Sequence, residues 1–209
     1  MKRRIVLSLI ATLIYGYAHT QTFVKSGSKK DYVVTISTKL GNIDLILYDE
    51  TPLHKENFLK LVNEKFYDST TFHRIIKGFM IQGGDPNSKD KDPGNDGMGG
   101  PGYTVPAEFN PKFTHNQGAL AAARMGDGVN PQKASNGSQF YIVENKQGTH
   151  FLDNNYTVFG QVLKGIEVVE NIAQQAKDAR DRPTESIVMT VTMKKLKKKK
   201  IAKMYGYKY

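Results

Sequence analysis

Cysteine is absent from the 209 residues, and tryptophan with it. Without cysteine there is no disulfide, no thiol nucleophile and no sulfur to carry a lipid. A cysteine-free exported domain must rely on its apolar core, for which about 160 residues suffice. Histidine numbers only 5, and His54, His73, His115 and His150 stand in no recognisable arrangement with serine and aspartate. Nucleophilic catalysis therefore finds little support, and His73 reads as a structural hydrogen-bonding residue.

The chain also has no apolar run of spanning length. Its longest candidate, Ile5 to about Ala18, falls short of the roughly 20 residues a transmembrane helix needs. With Lys2, Arg3 and Arg4 before it, it has the charged and apolar regions of a secretory signal. The expectation is export to the periplasm or cell envelope, with cleavage after Ala18 or Thr20. An uncleaved N-terminal anchor is the alternative.

Acidic residues are missing from both ends, which makes the net charge of +10 misleading. Setting aside three Lys or Arg in 1–18 and eight Lys in 194–209 leaves 19 basic against 20 acidic residues between them. The body is near neutral, and no surface for nucleic acid is expected. The basic block KKLKKKKIAKMYGYKY reads as a solvated, disordered tail, with contact to an anionic surface as the alternative. The expected organisation is a signal at 1–20, a polar linker at 21–30, one folded domain at 31–193 and a basic tail at 194–209.

Within that domain, Tyr32 to Thr38 is rich in β-branched residues, and Ile43 to Tyr48 alternates apolar and polar. The pair reads as a hairpin. Thr51-Pro52 opens a helix to about Asn63, with Thr51 as N-cap and Leu53, Phe58, Leu61 and Val62 inward. Strands are expected at 71–75, 79–82, 118–123, 139–143, 157–162 and 187–193, and a second helix from Gly165 to about Gln174. Many short strands with two helices suggest a closed antiparallel barrel capped by helices.

Gly83 to Gly102 is a long loop rich in Gly, Asp and Pro. Its G-x-G-x-x-G spacing follows no strand directly and contains Pro101, so it is not read as a dinucleotide site. Asp90, Asp92 and Asp96 hint at calcium, but Pro93-Gly94 breaks the EF-hand pattern. No cofactor or metal is expected.

The most informative run is FHRIIKGFMIQGGDP, Phe72 to Pro86. It sets Arg74 among apolar residues and Gln82 before a Gly-Gly turn. A cation in such surroundings is costly unless something uses it; a buried carboxylate that satisfies it is the plain alternative. This run resembles the signature of the cyclophilins, the peptidyl-prolyl cis-trans isomerases. Asn136 to Ile142 (NGSQFYI) and Phe151 to Gly160 (FLDNNYTVFG) resemble the family's next two motifs in order. The resemblance covers about Asp31 to Met193 and looks like an exported, bacterial-like member.

The resemblance implies a mainly β fold: a closed eight-stranded antiparallel β-barrel with a helix over each open end. It implies catalytic roles for Arg74, Phe79 and Gln82. It implies substrate binding at Met80, Ala123, Arg124, Gln139, Tyr141, Phe151, Leu152 and Tyr156, while Phe140 reads as core. The partners implied are proline-containing polypeptides, and the default state is a monomer. Phe151 stands where many eukaryotic members have Trp, a hydrogen-bond donor to cyclosporin. Phe lacks that donor, so weak cyclosporin binding is expected. Tyr156 replaces a common His, and Arg124 an Asn of some members. These changes leave open a second reading, a module that binds proline segments without turnover. A surface protein tethered by its lysine tail is a third.

Overall fold

The computed structural model describes Phe23, residues 27–90 and residues 92–209. The expected signal and half of the expected linker lie outside the described residues.

Strand β1 (Lys30–Thr38) pairs with β2 (Gly41–Leu47) as an antiparallel hairpin, Val34 opposite Leu45 and Ile36 opposite Ile43. Helix α1 (Pro52–Asn63) follows. Its first turn differs from the expectation. Thr51 makes no side-chain cap bond to the helix. The Glu108 carboxylate accepts instead from the amides of Leu53 and His54, at 3.0 and 2.9 Å. An anion there also suits the helix dipole. Leu53, expected inward, is 50% exposed, and His54 and Lys55 are buried in its place. Lys55 is tolerable there because Nζ donates to Asp31, Asp49 and the Leu47 carbonyl at 2.7, 2.6 and 3.0 Å, one acceptor for each of its hydrogens.

The remaining strands are β3 (Phe72–Ile76), β4 (Met80–Gly83), β5 (Thr104–Val105), β6 (Ala119–Ala122), β7 (Ser135–Asn136), β8 (Phe140–Val143), β9 (Val158–Lys164) and β10 (Thr190–Lys197). Helix α2 (Ile166–Ala173) and helix α3 (Lys198–Tyr205) complete the set. Eight strands form one sheet in the order β10-β1-β2-β9-β6-β8-β4-β3, while β5 and β7 pair separately.

The expected closed barrel is corrected here. The sheet is an open half-barrel with β10 and β3 at its edges, and among the described residues it carries three α-helices, not two. No ladder joins the two edges: around the isolated bridge of Thr71 to Val188 they share a few backbone bonds, Phe72 N–H to the Ile187 carbonyl at 3.0 Å and Met189 N–H to the Thr70 carbonyl at 2.8 Å among them. The segment that would extend this seam along β3 contains Pro183, which has no N–H to give a ladder. Pro183 bridges to Lys177 instead, and Thr184 donates to the Ala176 carbonyl at 2.9 Å.

Both faces of the central strands are buried, which is why they read as continuous apolar runs. Alternate residues Leu120, Ala122, Phe140, Ile142 and Ile81 join the main core with α1 and α2. Their neighbours Ala119, Ala121, Tyr141, Val143 and Met80 form a second cluster on the other face.

The C-terminal block is folded and not a disordered tail, although most of its lysines stay exposed. β10 continues to Lys197 against β1, and α3 lays Ile201, fully buried, with Val33 and Ile46 on the outer sheet face. Lys198 pairs with Asp49 at 2.7 Å. One apolar side chain per turn, spaced among lysines, is enough to dock the helix.

Candidate active site

The β3–β4 hairpin sets the site. Arg74 lies directly opposite Gln82 across it, so the two share a face. The turn is tied at Gly78, in the left-handed region at φ 76°, whose amide donates to Glu144 at 2.6 Å. β8 lies beyond β4, with Tyr141 opposite Gln82, and β6 beyond that, with Ala121 opposite Tyr141. A surface cavity of about 170 Å³ opens on this face.

Nine of the eleven residues singled out from the sequence line it: Arg74, Phe79, Met80, Gln82, Ala123, Arg124, Tyr141, Leu152 and Tyr156. Gln139 and Phe151 do not. Gln139 is buried and acts behind the wall. Its amide nitrogen donates to the Gly97 and Gly99 carbonyls at 3.0 and 2.8 Å, and its oxygen accepts from Gln82 at 3.0 Å. Phe151 is 73% exposed and stacks on Phe79 with ring centres 5.9 Å apart.

Arg74 is less enclosed than its apolar neighbours in sequence suggest. Its side chain is 42% exposed, with Asp181 at 3.9 Å. That is a long, half-solvated ion pair worth little on its own. The buried carboxylate of the plain alternative is not there, and the guanidinium keeps donors free for the cavity.

Tyr141 is held from behind. Its hydroxyl lies 2.9 Å from His115 Nε2, and His115 Nδ1 lies 2.6 Å from Asp153. Burial pushes the His115 pKa down against the pull of Asp153. Burial raises the Asp153 carboxyl, but hydrogen bonds from His115 outweigh it and hold the carboxyl below its usual range. A neutral ring therefore donates from Nδ1 to the carboxylate and accepts the Tyr141 hydroxyl at Nε2. Burial raises the Tyr141 phenol well above its ordinary value, so it stays protonated. Tyr156 meets Tyr141 edge-on at 6.0 Å and lies under the Arg124 guanidinium at 4.4 Å.

The loop beside the cavity hangs on Asp85, fully buried. Its carboxylate accepts from the amides of Asn87, Gly97 and Gly99 at 2.8, 2.5 and 3.2 Å. Sequence reasoning missed Asp85, His115 and Asp153, whose partners lie up to 38 residues away. Among the described residues, no three His, Asp or Glu side chains converge as a metal would require.

Comparison with known proteins gives the class. Residues 33–194 match the family model "Cyclophilin type peptidyl-prolyl cis-trans isomerase/CLD". Peptidyl-prolyl cis-trans isomerase-like 3 of Dictyostelium discoideum is 39% identical over 161 residues, covering 75% of this chain and 91% of that protein. The crystal structure of a Cryptosporidium parvum cyclophilin-type isomerase superposes with a TM-score of 0.69 at 29% identity, covering 79% of this chain and 98% of that one. The same parasite enzyme, in the presence of the dipeptide Ala-Pro, gives 0.67 at 28% identity, covering 78% and 98%. The chain belongs to the cyclophilin-type peptidyl-prolyl cis-trans isomerases.

Proposed function

We propose that the cavity between β4, β6 and β8 takes the proline of a polypeptide substrate, and that Arg74 lowers the barrier to rotation about the preceding bond. Rotation is slow because amide resonance must be lost, at roughly 18–20 kcal/mol. In the twisted state the nitrogen becomes pyramidal and its lone pair can accept a hydrogen bond. A donor aimed at that nitrogen binds the twisted amide better than either planar isomer, which is what accelerates the step. Arg74 supplies a permanently charged, planar set of donors. Gln82, itself held by Gln139, contacts the neighbouring carbonyl. Phe79, Met80, Tyr141 and Leu152 surround the ring, and Ala123, Arg124 and Tyr156 receive the flanking backbone. No covalent intermediate or metal enters this scheme.

The observation that carries the proposal is Arg74 opposite Gln82 at the mouth of this cavity. The test is a coupled isomerisation assay on a short X-Pro peptide. Arg74→Ala should lose about 10²–10³-fold in kcat/KM, the usual cost of a preorganised donor. Full activity in that variant sinks the mechanism.

Phe151, which has no side-chain N–H to donate, supports weak cyclosporin binding, which calorimetry reads directly. The basic N-terminal run followed by apolar residues supports export to the periplasm or cell envelope. Recovery of the whole chain in the cytosolic fraction of expressing cells would count against it. The monomer remains our expectation, checked by light scattering on a sizing column.

A further inference from the structure

A second cavity adjoins the proline groove. It holds about 320 Å³, against about 170 Å³ for the groove, and Arg74 and Gln82 line both. A chain lying in one therefore borders the other. His73, Asp96, Arg180 and Arg182 are set around it, with the loop at 93–97 forming one side.

Two features of this cavity are unusual. The first is its charge: three guanidiniums face one carboxylate. Asp96 is engaged by Arg182 at 3.1 Å. Asp181, outside the lining, stands 3.9 Å from Arg74 and also takes Lys177 at 2.7 Å. Arg180 is exposed and makes no ion pair among the described residues. The second feature is His73, 5% exposed with neither ring nitrogen in a formed hydrogen bond. The Thr71 carbonyl lies near enough to favour a ring proton without making that bond. Both Asp96 oxygens likewise lack hydrogen-bond donors despite the ion pair. Buried polar atoms without partners are costly, and they persist where a ligand meets them.

We propose that this cavity receives an anionic side chain of the same polypeptide whose proline occupies the groove, paired by Arg180 and Arg182 and accepting a hydrogen bond from His73. The inference rests on the groove reading above and adds a sequence preference to it: proline bonds with an acidic or phosphorylated residue close by.

The test is direct binding of labelled X-Pro peptides to the full chain by fluorescence polarisation. Glutamine, glutamate or phosphoserine is placed in turn at each of three positions on either side of the proline. We expect an anion to bind about fivefold or more tighter than glutamine at one position, an increment typical of a single charge pair. Arg180→Ala and Arg182→Ala should each bring that ratio toward one while leaving the glutamine peptide unchanged. The ratio should also shrink as salt rises. The glutamate and phosphoserine arms tell which anion fits better. Equal affinity for glutamine and both anions everywhere overturns the proposal, as does a preference that survives both arginine changes. Arg180 is exposed, so Arg180→Ala remains informative even if Arg182→Ala misfolds through loss of its Asp96 pair. Binding without charge preference would sink this pocket alone. Failure of every peptide to bind would sink the groove reading, and this one with it.

Discussion

His54 and His73 are about equally hidden, at 3% and 5% exposure, yet their surroundings are opposites. His54 has both ring nitrogens engaged, Nδ1 at 2.6 Å from Glu108 and Nε2 at 2.9 Å from Ser135. It ties helix α1 to the segment before β6 and to β7. His73 has neither nitrogen engaged and lines an open cavity beside Arg74. The same side chain at the same depth is a weld in one region and an unmet donor and acceptor in the other. Burial alone therefore does not distinguish scaffold from site; what the fold leaves unpartnered does.

The largest expected effect comes from acid. Burial pushes the His73 pKa down from 6.5 to about 4. The native ring stays neutral in that window while the ring of the unfolded chain takes up a proton. Its stabilising contribution is complete above the unfolded value and is lost as pH falls toward the folded one, about 3 kcal/mol in all. His115, also shifted down, acts in the same direction. Urea midpoints at pH 7.5 and 4.5 should show the fall, and His73→Phe should make it shallower. An identical slope in that variant would detach the pH dependence from His73.

Next comes His54→Ala, which leaves Glu108 and Ser135 without their shared partner and opens a void. A loss of about 2–3 kcal/mol is expected at neutral pH, read from the same denaturation. A loss below half of one would mean that the weld is not one. Smallest is His73→Phe at pH 7.5, which keeps the ring volume and removes unmet polar atoms. Its stability should stay within about 1 kcal/mol of the parent. A large loss there would give His73 a structural role and remove the contrast with His54.

Much of the local structure was legible because it is encoded locally. Alternation marked the β1–β2 hairpin, and Thr51-Pro52 marked the start of α1, whose observed span is Pro52–Asn63. The three family-like motifs hold seven of the nine residues that line one cavity; the other two, Ala123 and Arg124, stand between the first and second. What escaped depends on contacts between distant segments. Glu108 caps α1 from 54 residues away. Arg180 and Arg182 face His73 from more than a hundred residues along the chain. Gln139 looks like a lining residue in its motif, but its amide is spent on the Gly97 and Gly99 carbonyls. The lysines around Ile201 hide a helix because their charge masks a single docking position per turn. No periodicity announces that Pro183 stops the seam between the sheet's two edges.

That open seam gives the C-terminal lysines another meaning. An edge strand offers unpaired amides and carbonyls to any other strand that arrives, including the same strand of a second copy. Here β10 is such an edge, eight residues long and the last strand of the sheet. Lys194, Lys195 and Lys197 are all exposed along it. Two such edges brought together would set like charges in register, so the lysine run keeps neighbouring copies from extending one another's sheets. Replacing the three with serine should raise light scattering at high concentration; if the solution stays clear, the edge is guarded by something else.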